Sequence, residues 1–168
     1  MSNSDIPILR KALSTLLDEL TGGSSKDSCW ILNPDDPGLL QSLGNLSSRE
    51  ASSVPPSGGA SIAAHTDHLR YGLSLINREF RGENAFATAD FTASWRRVSV
   101  SDEQWTELQN NLRTEVENWR EVLDKSRELS EIELTGVIAG VAHLAYHFGA
   151  MRQINRAIRG PSAEESKP

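Results

Sequence analysis

Apolar residues recur at helical intervals in four stretches of the chain, and no stretch alternates as a strand would. The first row is Leu9, Leu13, Leu16 and Leu20 within residues 7–20, with Pro7 suited to a first turn and Gly22 and Gly23 as a stop. The second, within 61–80, is Ile62, Leu69, Leu73, Ile76 and Phe80, and Gly82 ends it. The third, within 102–128, is Trp105, Leu108, Leu112, Val116, Trp119 and Leu123; Ser101 with Gln104 three residues on forms a capping box at its start. That helix would be about 40 Å long, and its other faces carry Glu, Arg, Asn and Lys, as an outer helix should. The fourth, 131–159, is almost wholly apolar. It opens on a second box, Ser130 with Glu133, carries Arg152, Arg156 and Arg159 towards its negative end, and closes at Gly160 and Pro161.

Between the first two helices, residues 22–59 are rich in Ser, Gly, Pro and Asp, and only 37–46 has the pattern of a short helix. A stretch of that length is expected to wrap the other helices as a crossover, pinned to the core by Trp30, Ile31 and Leu32. A second irregular segment, 83–100, carries Phe86, Phe91 and the run Ser94 to Arg97. The architecture that buries four such stripes is an all-α four-helix bundle with a long crossover between its first and second helices. One domain over 1–159 and a disordered tail over 160–168 are expected. At 168 residues a single core can bury about 70% of the unfolded surface, so no metal is needed for folding.

Charge and cysteine content narrow the partners. Seventeen basic residues stand against 23 acidic ones, a net −6, with no basic tract, which argues against a nucleic-acid surface. Cys29 is the only cysteine, so no intrachain disulfide and no cysteine-rich zinc site can form. The first residues have no export-signal pattern, and a cytoplasmic protein is expected. From Leu134 to Met151 there is no Asp, Glu, Lys or Arg, but two histidines, Thr135, Tyr146 and three glycines favour a core helix, covered on most sides, over a membrane span.

The candidate chemistry lies in the four histidines, which fall as two close pairs: His65 and His68, then His143 and His147. Spacings of three and four put each pair on one helical face. His65 lies in line with the second apolar row and His68 about 60° to one side, so both can look inward. Two imidazoles of one helix can meet a common ion at about 2 Å, and a third from an opposing helix completes a trigonal base with a position left open. Such a donor set suits zinc, nickel or another borderline divalent ion better than magnesium or calcium. The ion would acidify a water or a thiol, so hydrolysis and thiol transfer are both open. Gly136 and Gly140 share the face of His143 and His147, where a neighbouring backbone could come close. No serine-nucleophile elbow or phosphate cradle is present, and Cys29 has only Lys26 as a local basic neighbour.

Three segments carry a resemblance: SIAAHTDHLRYGL (61–73), ADFTASW (89–95) and above all VAHLAYHFGAMRQI (141–154). Together they resemble the DinB/YfiT-like superfamily, over roughly 5–159. The resemblance implies a four-helix bundle with one histidine of the second helix and two of the fourth around a divalent metal, nickel and zinc included. Matched by motif, these are His68, the one followed directly by leucine, with His143 and His147. His65 is then either an alternative ligand or outer partner, or a packed core histidine. The resemblance further implies a homodimer and chemistry of the thiol S-transferase or metal-hydrolase kind, with a low-molecular-weight thiol as a possible cofactor. No catalytic residue is assigned.

Residues near the histidines have plainer roles to expect. Asp67 is rotated about 100° from His68 and reads as a surface charge. Tyr146 reads as packing or bonding to a neighbouring helix rather than as a catalytic acid, and Arg152 and Gln153 as meeting solvent or a dimer partner rather than an anionic substrate. Trp95, Arg96 and Arg97 could line a pocket mouth, although a loop tryptophan is more often a core plug. Two other readings stand beside the enzyme: a non-catalytic bundle whose metal or histidine cluster serves structure or sensing, and a dimerisation scaffold.

Overall fold

A computed structural model of the protein describes residues 5–27, 29–125, 128–155 and 158. The expected tail, 160–168, lies outside these residues, as do Arg156 and Arg159. The described residues are all-α. Helices α1 (Asp5–Gly22), α2 (Leu39–Gly44), α3 (Ser48–Ala51), α4 (Ile62–Phe80), α5 (Asp102–Asp124) and α6 (Glu131–Ile154) follow one another, with 3-10 turns at Ala85–Thr88 and Ala93–Arg96. Four are long, and each of these packs against two others: α1 on α5 and α6, α4 on α5 and α6.

The core is built from the periodic rows. Leu13, Leu17 and Leu20 of α1, Ile62, Leu69 and Leu73 of α4, and Val137, Val141, Leu144 and Phe148 of α6 are buried together. The whole row Trp105, Leu108, Leu112, Val116, Trp119 and Leu123 of α5 joins them. Both expected capping boxes form, Ser101 with Gln104 and Ser130 with Glu133. Helix α5 ends at Asp124, four residues short of the expected 128, because the buried Arg10 of α1 donates to the carbonyls of Leu123 and Lys125. An external donor on those last carbonyls replaces the next helical turn. Helix α6 likewise ends at Ile154 instead of 159, where Asn155 turns extended.

The segment 23–61 holds one helix more than its pattern predicts. Ser47 accepts from the Glu50 amide and Glu50 returns the bond, so a third capping box starts α3. Its anchoring also differs from expectation. Leu32 is buried, but Trp30 and Ile31 are exposed. The carboxylate of Glu19 holds this turn, accepting from the backbone amides of Trp30, Ile31 and Leu32 at 2.8–2.9 Å. Burial pushes the Glu19 carboxyl up, and the amides of Leu32, Ile31 and Trp30 outweigh it, leaving the pKa below its ordinary value.

Asp36 ties the same segment to α6. It is wholly buried and pairs with Arg152 at 2.7 Å, while Arg152 also donates to the Pro37 carbonyl at 3.1 Å and lies over the Phe148 ring. Arg152 therefore faces inward, not towards solvent or a partner copy; Gln153 beside it is exposed. Arg152 shares a helix face with the core residue Phe148 four back, which is why its long side chain runs along the interior.

Helix α6 is the only described helix long and apolar enough to cross a membrane, and 39% of its most apolar window is buried. It is less covered than its composition predicts, with Ile132, Ile138 and Tyr146 at the surface. Gly140 is where the close approach occurs, but the indole ring of Trp119 makes it, not a backbone: a Cβ there would stand 2.7 Å from that ring. Around Gly136 the space is open.

Candidate metal centre

Helix α4 and helix α6 place their histidines at one level. His68 and His147 are buried and His143 half-buried. The Nε2 atom of His143 lies 3.1 Å from Nε2 of His68 and 2.9 Å from Nε2 of His147. One ligand atom from each of the three falls within 4.8 Å of the other two, so the group could hold a metal ion. Nitrogens at about 2 Å from a tetrahedral ion stand about 3.3 Å apart, so the two contacts of His143 need to open by only a few tenths of an ångström.

Hydrogen bonding at the outer ring atoms favours the same use. Ser94, buried in the 3-10 turn Ala93–Arg96, donates its hydroxyl hydrogen to the Phe91 carbonyl and lies 3.1 Å from Nδ1 of His68. With its one hydrogen so engaged, the hydroxyl accepts from His68, which places the ring proton on Nδ1 and leaves Nε2 a free lone pair. His147 has its Nδ1 atom 2.9 Å from Nδ1 of His65. If His147 donates there, its Nε2 is also a lone pair aimed at the cluster, and His65 is the acceptor that orients it. Protein bonding alone leaves the cluster unsatisfied: the single Nε2 of His143 cannot give two good bonds to two neighbouring lone pairs, whereas one cation satisfies all three.

Electrostatics keep the rings in the ligating form. Burial first, then the neighbouring His143 and His65, push His68 down to about 4, against a smaller opposing pull from Asp67. Burial followed by His143, His68 and His65 takes His147 down to about 3. Burial also lowers His65 and His143. All four are neutral at pH 7, as metal ligation requires.

The surroundings differ from the sequence reading at several points. Trp95 stacks on His68 with centroids 4.2 Å apart and meets His65 edge-on at 5.3 Å, so this loop residue walls the cluster. Asp67 is not a surface charge but a buried one, paired with Arg70 at 2.8 Å and Arg97 at 3.2 Å. Its turn of helix is covered by the 83–100 segment, whose course the helical pattern does not reveal. Tyr146 is exposed and meets the His147 ring of its own helix in a T-shaped contact, centroids 5.0 Å apart. Cys29 is exposed. Ser94 had no role in the sequence, since its contact with His68 spans 26 residues of loop and helix.

Beside the cluster opens a cleft of about 720 Å³ between α4, α6 and the segment after α4. Leu69, Leu73, Ile76, Phe80 and Leu144 form its floor and walls, and His143 belongs to its lining. Comparison of the chain with protein-family models, with curated proteins and with solved structures finds no match.

Proposed function

We propose that the protein is a divalent-metal protein of the DinB/YfiT-like kind, in which His68, His143 and His147 hold zinc or nickel and the four long helices form a four-helix bundle with 23–61 as its crossover. The convergence of three Nε2 atoms, with the outer nitrogens of His68 and His147 met by Ser94 and His65, carries this reading. The pairwise packing of α1 and α4 on α5 and α6 supports the bundle. Bound there, the ion would act as a Lewis acid that lowers the pKa of a water or a thiol.

The chain's own residues would supply the rest. Ser94 fixes the tautomer of His68, and His65 that of His147. Trp95 shields one side of the cluster from water. A purely structural centre would be closed by a fourth protein ligand, but among the described residues the three imidazoles form the group by themselves and His143 faces the cleft, which favours an enzyme acting on a small molecule, by thiol transfer or hydrolysis. The exposed apolar side chains of α6 suit the homodimer that the same kinship implies.

The test is reconstitution with Zn²⁺ or Ni²⁺ followed by elemental analysis. One equivalent per chain is expected for the native sequence and a large loss for His143→Ala. A native protein that holds no stoichiometric metal, with His143→Ala unchanged in spectra and stability, overturns the proposal. Metal retained without turnover of any thiol or ester substrate would leave the non-catalytic reading.

A further inference from the structure

The cleft next to His143 has the volume of a small-molecule site, and its composition is uneven. Apart from His143, its polar side chains are Glu79 and Glu133, and among the described residues no Lys or Arg lines it. Both carboxylates are engaged by backbone amides, Glu79 by Ala85 at 2.9 Å and Glu133 by Ser130 at 2.8 Å. Among the described lining residues an anionic ligand would meet two negative groups and no Lys or Arg, while each carboxylate is already held through one oxygen by a backbone amide. The exposed apolar side chains Phe86, Phe91 and Ile132 gather on the cleft's lining.

Two of the lining glycines are unexplained by packing. Glycine inside a helix costs about 1 kcal/mol relative to alanine. A Cβ on Gly136 would meet nothing within 4 Å, and one on Gly72 would make only ordinary contact, 3.8 Å from Cε1 of His143. Gly72 provides width beside the His143 ring, and Gly136 keeps the cleft open about two turns further along α6.

We infer that this cleft receives the apolar body of an uncharged small molecule whose donor head group reaches the His143 end, the inference resting on the metal centre proposed above. The molecule would lie between Gly72 of α4 and Gly136 of α6, with its far end near Phe86 and Phe91. The chemistry identifies the apolar reactant, not a charged thiol carrier, as the occupant.

Two titrations test this. In the first, cobalt-substituted protein is titrated with n-alkyl thiols from ethanethiol to octanethiol, followed by the sulfur-to-cobalt charge-transfer band. Binding should tighten about fourfold per added methylene, from about 0.8 kcal/mol per buried CH₂. Gly136→Leu should keep ethanethiol binding and lose the gain. In the second, the neutral fluorophore N-phenyl-1-naphthylamine is titrated into metal-free protein. Gly136→Leu should bind it at least tenfold more weakly, and 1-octanol should displace it better than octanoate or octylammonium. Ala139→Phe, at an exposed position on the same lining, is the second variant should Gly136→Leu fail to fold. Chain-length independence, variants equal to the native protein, or better displacement by either ion overturns the inference. If cobalt and ethanethiol bind and the variants change nothing, the cleft assignment falls and the metal centre stands. If no cobalt binds while the fluorophore behaves as expected, the metal centre falls and the apolar-body assignment stands.

Discussion

Two glycines one helical turn apart on α6 show how differently the same residue can be used. Gly140 is filled by the Trp119 ring, so an added methyl must displace a rigid indole with no exposed area to move into. Gly140→Ala is therefore expected to destabilise by about 1–3 kcal/mol despite its better helix propensity. Gly136→Ala should instead stabilise by about 0.5–1 kcal/mol, since propensity acts there unopposed. Urea midpoints of the two variants check both signs. His65 raises a second residue-scale question, since it stands outside the three converging imidazoles but against Nδ1 of His147. Replacing it by leucine removes the hydrogen-bond partner of Nδ1 of His147 and is expected to weaken metal binding about 10- to 100-fold, measured by competition with a chelator. An affinity equal to that of the native protein would make His65 merely a packed side chain.

Among elements, the link between the 23–61 segment and α6 includes a buried ion pair. Arg152→Ala would strand the wholly buried Asp36 carboxylate and is expected to cost about 3–5 kcal/mol. Asp36→Ala with Arg152→Ala should cost clearly less than the sum of the single changes, because the second removes the charge that the first left unpaired. Additive losses would mean that the pair is incidental to the packing. The helices themselves were largely legible: the rows of α4 and α5 and the capping boxes at Ser101 and Ser130 all lie where period and cap chemistry put them. Helix α3 was missed: its four residues are too short for a periodic row, and only the capping pair Ser47 and Glu50 could have signalled it. The ends of α5 and α6 were not legible, since Arg10 and Asn155 set them through contacts or backbone turns that propensity does not encode.

At the scale of the molecule, stability and the histidine cluster are linked through protons. His68 and His147 are held neutral in the folded chain, with pKa values of about 4 and about 3, but in the unfolded chain each takes a proton near pH 6.5. Below about pH 6.5 the unfolded state binds more protons than the folded one, so stability present above that pH is lost progressively as pH falls towards those folded values. The urea midpoint of metal-free protein should thus be lower at pH 5.5 than at pH 7.5, with a smaller difference in His147→Gln. A midpoint unchanged over that interval would contradict neutral buried imidazoles. Bound metal should also be released as pH drops below about 6.5, because proton and cation compete for the same lone pairs.

The sequence by itself determined the helical class, the faces that form the core and the pairing of histidines on two helices, because helical period and cap chemistry are local and survive without knowledge of neighbours. Only the tertiary structure decided that those faces bring His68 to His143 and His147, that Ser94 and Trp95 close on them, that Asp67 and Arg152 turn inward, and that a cleft opens beside His143. Each of these depends on contacts between residues far apart in the chain, where side-chain direction is set by which helices pack together and not by the residues next in line.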